Sequence, residues 1–149
     1  MQKLQDIEVR TEAPFGPDPD HGNATPILHE VLHALQRLLS EGETTTIDLR
    51  SIPFGPGDEQ QLLKILGRGE VDVQLDALGM SEIWESRYAG VWLVDHKNQA
   101  GERIALQIEV TRVPEILQAQ SEDISESIAR LDDQLKTAAG SPDAGGPNG

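Results

Sequence analysis

The sequence predicts an α+β fold: a mainly antiparallel sheet of four or five strands in a meander, with two helices before it and one after it. Three observations carry this. Apolar residues recur at helical spacing up to Gly42 and again after Pro114. They alternate with polar residues between Gly69 and Thr111, and Gly or Pro punctuates the junctions.

The first helix is expected from Thr25, an N-cap type, with Pro26 at the first helical position, where its missing N–H costs nothing. Leu28, Val31, Leu32, Leu35, Leu38 and Leu39 then repeat at helical spacing until Gly42. Thr44 to Leu49 is β-branched and short, so it reads as a strand, and SIPFGPG supplies the turn after it. A second helix follows, with Pro56 at its first position and Asp58 and Glu59 at the positive end of its dipole. Leu62, Leu63 and Leu66 form its buried side, and Gly67 stops it.

Beyond Gly69, Val71, Val73 and Leu75 alternate with Asp72, Gln74 and Asp76, the pattern of a strand with one wet face. Three more strands are expected over Glu82 to Tyr88, Val91 to His96 and Arg103 to Thr111. The last has Ile104, Leu106, Ile108 and Val110 on one face, and Asn98 to Gly101 forms a hairpin turn before it. Val91 to Val94 is apolar on both faces and therefore reads as the central strand. The IDLR strand, the second helix and GEVDVQL could instead build a βαβ unit with one parallel pair. After Pro114, Leu117, Ile124, Ile128, Leu131 and Leu135 make one helical stripe. That stripe is expected on the sheet, the alternatives being a second copy or a partner's groove.

Residues 1–24 read as a flexible leader rich in Pro and Gly, 25–139 as one domain, and 140–149 as a disordered tail. The leader mixes charge into every short window, so neither a signal peptide nor a membrane anchor is expected and the cytoplasm is the default. At 149 residues the chain is long enough for one core, and with aromatics at 3% that core is mainly aliphatic. A formal charge of -14 repels phosphate backbones and anionic lipids, which argues against nucleic acid and membrane partners and for a basic or neutral protein. With no cysteine, disulfides, thiolate nucleophiles, iron-sulfur ligation and cysteine-based zinc sites are excluded.

The sharpest short motif is HEVLH, with His29 and His33 one helical turn apart and Glu30 between them, as in a zinc protease. Such a site needs a third protein ligand, and the only later histidine is His96, with no extended motif around it. The plainer reading sets both histidines beside the Leu stripe, which makes a metal at His29 and His33 unlikely. Ser81 lies in GMSEI rather than GxSxG, and no pattern pairs it with a histidine. The GPG and GRG turns do not continue into phosphate-binding motifs, so no cofactor is indicated. Trp84, Arg87, Tyr88 and Trp92 are more informative, because both tryptophans and the only tyrosine of the chain cluster there. Such residues dominate binding hot spots and serve equally well in cores.

From Thr46 to Leu117 the chain resembles the carboxy-terminal region of the HupH/HyaF proteins encoded with uptake nickel-iron hydrogenases. IDLRS, LGRGEV, RYAGVW and VPEIL carry the resemblance, in that order, and the HEVLHALQRLL helix before them is also similar. The resemblance implies an accessory, chaperone-like role in hydrogenase expression or maturation, without enzymatic activity. Its implied partners are a hydrogenase structural subunit precursor or other hydrogenase accessory proteins. It brings no catalytic residues, so the expected partner-binding residues are Trp84, Arg87, Tyr88 and Trp92, then Arg112 and Glu115 at a strand-to-helix junction. The alternatives are a zinc-dependent hydrolase built on HEVLH and an adaptor that forms a homodimer through its last helix.

Overall fold

The structure is a computed structural model that describes residues 22–76 and 78–140; the expected leader and tail lie almost wholly outside them. The chain divides into two units, one ending at Arg112 and the other beginning at Val113.

In the first unit the order is α1 (Ala24–Glu41), β1 (Thr45–Asp48), a short 3-10 turn (Leu49–Ser51), α2 (Asp58–Leu66), β2 (Asp72–Asp76), β3 (Met80–Glu85), β4 (Val91–Lys97) and β5 (Arg103–Val110). All five strands form one sheet in the order β1-β5-β4-β3-β2, and every pairing is antiparallel. The expected meander is β2 to β5, with β4 in the middle as its two apolar faces require. The βαβ alternative fails, because β1 and β2 lie on opposite edges and β1 runs antiparallel to β5. The β1 pairing sets Ile47 beside Ile108, which extends the apolar face of β5 by one strand.

Both helices pack on one face. Ala24, Ile27, Val31, Ala34 and Leu38 of α1 and Leu62 and Leu66 of α2 join Trp84, Leu93, Leu106, Ile108 and Val110 of the sheet in a single core. The two alanines let α1 approach the strands closely. On the other face Ile83 and Val94 are cross-strand neighbours and are buried with Trp92.

Several boundaries differ from expectation for local reasons. Helix α1 begins one residue before Thr25, with Asn23 as N-cap, and the Asn23 amide donates to the Pro53 carbonyl (2.6 Å) rather than capping its own helix. Pro26 still falls in the first turn, where no N–H is needed. Pro56 is not helical: Asp58 N–H donates to Gly55 O at 3.1 Å across Pro56 and Gly57, and Gly57 takes φ 84°. Pro followed by a positive-φ Gly makes a type II turn, so α2 starts at Asp58. Strand β3 ends at Glu85 because Ser86 folds the chain back, its hydroxyl donating to Tyr88 O and accepting from Tyr88 N–H. Ile104 does not share the buried face of β5: the register shifts there opposite His96 and Lys97, and Ile104 is exposed.

The second unit holds a 3-10 turn (Glu115–Leu117) and α3 (Ser121–Gly140). Leu117 therefore precedes the helix rather than belonging to it. Every residue of α3 is exposed. Ile124, Ile128, Leu131 and Leu135 are 48%, 65%, 61% and 60% exposed.

Candidate functional site

Helix α1 carries two parallel apolar stripes. Ile27, Val31, Ala34 and Leu38 face the core, and Leu28, Leu32, Leu35 and Leu39 follow each of them by one position, about 100° further round the helix. Only the first stripe can meet the sheet. Of the second, Leu28 and Leu35 are half-buried, whereas Leu32 is 48% and Leu39 81% exposed. Three shallow depressions run along this stripe and share its leucines. The one nearest the C-terminal end, about 440 Å³, is walled by Leu35, Leu39, Glu85, Gly90 and Arg112. The middle one, about 210 Å³, is closed by Ile65 and Leu66 of α2 and by Tyr88. At the N-terminal end Thr25 and His29 border Leu28 and Leu32.

The loop that presents Tyr88 is held from several sides. Arg87 N–H donates to Leu66 O at 2.7 Å, Ser86 N–H to Val91 O at 2.9 Å, and Thr111 N–H to Gly90 O at 2.9 Å. Gly90, at φ 91°, lies against Leu35 and Leu38, so this backbone presses onto α1 where a side chain would crowd it. Tyr88 is 49% exposed and borders the same depression as Leu28, Leu32 and Leu35. The surface is thus an apolar strip about one helix long, with a phenol and a guanidinium at its border, on a fixed base. That combination suits burial against another protein: aliphatic area supplies affinity, and Tyr and Arg supply directed contacts at the edge.

The expected binding residues separate into two sets. Trp84 and Trp92 are core residues, at 6% and 5% exposure. Trp92 donates its indole N–H to Thr111 O at 3.2 Å. Trp84 lies under the Arg68 guanidinium, 4.1 Å from the ring centroid, and Arg68 also donates to Glu82 at 2.8 Å and to Asp72 at 3.0 Å. The Arg68 hydrogen bond holds the Glu82 carboxyl below its ordinary range. Asp72, though its side chain is 50% exposed, is held above its range by partial desolvation and by hydrogen bonding with Glu82. Arg87, Tyr88, Arg112 and Glu115 are exposed; Tyr88 and Arg112 border the α1 strip, Arg87 lies over Gly67, and Glu115 opens the 3-10 turn of the second unit.

His29, Glu30 and His33 are all exposed on α1, and among the described residues no group of three His, Cys, Asp or Glu could hold a metal ion. Ser81 does meet a histidine, which the sequence did not suggest. Its hydroxyl is 3.2 Å from His96 Nδ1 across β3 and β4, on the sheet face away from the helices. A second polar cluster joins α2 to the sheet. Arg103 donates to both carboxylate oxygens of buried Asp95 at 3.0 Å and to Glu59 at 2.8 Å, and Asp95 is chiefly what raises the Arg103 pKa. The Leu32 and Leu39 surface escaped the sequence reading because periodicity reports spacing, not which part of an apolar arc is covered. The available signal was an excess: consecutive pairs at 27/28, 31/32, 34/35 and 38/39 give more apolar width than one sheet contact can bury.

Among the described residues no helix is long and apolar enough to cross a membrane. Residues 22–138 match the family model described as HupH hydrogenase expression protein, C-terminal conserved region. The hydrogenase expression/formation protein HoxQ of Azotobacter vinelandii is 33% identical over 111 residues, which cover 73% of this chain and 39% of that protein. HupH of Rhizobium leguminosarum bv. viciae is 29% identical over 119 residues, 79% of this chain and 42% of that one. The chain thus spans about two fifths of the length of these curated relatives. The solved structure of hydrogenase expression protein HupH from Thiobacillus denitrificans superposes with TM-score 0.73 at 39% identity, covering 76% of this chain and 95% of that one. The chain belongs to the HupH family of hydrogenase expression proteins, as a match to its C-terminal region.

Proposed function

We propose that this chain is a cytoplasmic accessory factor in the maturation of an uptake nickel-iron hydrogenase, acting by protein binding rather than catalysis. The occupant of its binding surface is a hydrogenase structural subunit precursor or another hydrogenase accessory protein. The relatives' names supply the hydrogenase context. The observation that carries the binding mode is the exposed Leu32 and Leu39 strip on α1, bordered by Tyr88 and Arg112 on a hydrogen-bonded loop. A folded protein leaves a continuous leucine strip uncovered at a risk of aggregation, and its use as an interface accounts for it. The formal charge of -14 steers basic partners toward the chain.

Tyr88 and Arg112 are the directed contacts of this surface, and Arg87 lies next to Tyr88 in sequence. Trp84 and Trp92 support it from within, by fixing the strands on either side of the Ser86 to Gly90 loop. The test is co-expression with each hydrogenase structural precursor in turn, followed by capture of this chain. Retention of one precursor by the parent, and its loss in a folded Leu32→Asp/Leu39→Asp variant, is expected. Equal retention by both would overturn the assignment of the surface.

A further inference from the structure

We infer that α3 pairs antiparallel with α3 of a second copy of this chain. The stripe Ile124, Ile128, Leu131, Leu135 advances by four, three and four residues, which is a heptad seam with Ile128 and Leu135 at a and Ile124 and Leu131 at d. All four side chains are exposed by about half or more.

Charge placement says what covers them. The helix has seven charged residues, and six of them (Glu122, Asp123, Glu126, Arg130, Asp133, Lys136) fall at the outer b, c and f positions. The flanking e and g positions hold Ser125, Ser127, Gln134 and Ala139, with Asp132 the one charge among them. Asp132 is offset within its own helix by Lys136, 3.0 Å away. A helix with acids in its first turn on a chain of charge -14 can therefore meet its own copy without like charges along the seam.

Orientation follows from the same positions. A parallel pair would gather Glu122, Asp123 and Glu126 of both copies at one end, where two helix N-termini also meet. An antiparallel pair sets Ile124 against Leu135 and Ile128 against Leu131, so an Ile meets a Leu in every layer. It also brings Glu122 of one copy to the same side and level as Lys136 of the other, twice by symmetry, and opposes the two helix dipoles. At 20 residues the helix is about 30 Å long, and its seam is smaller than the roughly 800 Å² per partner of a standard stable interface. The dimer is accordingly reversible.

This pairing goes beyond the proposed function and uses none of the α1 strip, so either can fail alone. Sedimentation equilibrium of the whole chain across a concentration series is expected to show a monomer–dimer equilibrium. Leu131→Asp should raise its dissociation constant by about tenfold or more, with unchanged near-ultraviolet circular dichroism showing that the first unit is intact. Lys136→Glu should weaken the dimer, and Glu122→Lys added to it should restore it. Because the chain has no cysteine, Ile124→Cys and Leu135→Cys variants report orientation directly. When mixed and oxidised they should form a heterodimeric disulfide, and neither should do so alone. A monomer at every concentration, a dimer indifferent to Leu131→Asp, or cross-linking of either cysteine variant to itself would overturn the inference.

Discussion

Replacing Asp95 by Asn tests how α2 is tied to the sheet. Asp95 is buried on the helix-facing side of β4, accepts from Arg103 Nε and Nη2 at 3.0 Å each, and shares Arg103 with Glu59 on α2. Asn keeps the shape and one acceptor, but its NH₂ then faces a guanidinium N–H and the charge is lost. Hydrogen bonds to charged groups contribute about 1.5–3 kcal/mol each. The Arg103 side chain is 33% exposed, so water recovers part of that loss. The expected cost is about 2 kcal/mol, which for a domain of this size lowers Tm by roughly 10 °C. Urea unfolding followed by tryptophan fluorescence suits the measurement, because Trp84 and Trp92 are both buried. Arg103→Met alone should cost a similar amount, and the double variant much less than the sum of the two. A loss under about 0.5 kcal/mol for Asp95→Asn, or simple additivity, would show that desolvation cancels the attraction and that apolar contacts alone hold α2.

Two other perturbations have signed outcomes. Gly79, at φ 137°, lies where an added methyl would strike the Lys97 carbonyl oxygen, so Gly79→Ala should cost at least about 2 kcal/mol in urea unfolding, and a change near zero would contradict the tight β2–β3 turn. Glu82 is held below its unfolded pKa by Arg68, so its stabilisation is complete above the unfolded value and is lost as pH falls through the folded one. Asp72, held above its range, acts in the opposite direction on the same limb. Glu82→Gln should therefore flatten the acid side of the stability profile, and an unchanged acid limb would remove Glu82 from that account.

The sequence made the element types legible because each segment keeps one period over its length. The central place of β4 followed from the apolar run Val91 to Val94, which only a strand covered on both sides can accommodate. What local pattern could not decide was long-range: the β1–β5 pairing, and the Glu59–Arg103 contact across 44 residues. Pro56 misled because Pro serves a helix start and a turn equally well, and only the positive φ of Gly57 separates the two. The tryptophans were open for a related reason, since a large aromatic ring suits a core as well as an interface, and burial decided it. The exposed half of the α1 arc and the uncovered stripe of α3 were present in the pattern, but amphipathicity alone does not say which apolar face finds a neighbour in the same chain.

Docking at the α1 strip is tested most directly by calorimetry of a purified hydrogenase structural precursor or accessory protein with the parent chain and with Leu32→Asp/Leu39→Asp. Leu32 is 48% and Leu39 81% exposed, so the double variant should lose no more than about 2 kcal/mol of unfolding free energy and stay folded. Saturable binding to the parent and a loss of at least about tenfold in affinity for the variant are expected. Undiminished binding by a folded variant would place the interface elsewhere and contradict the assignment.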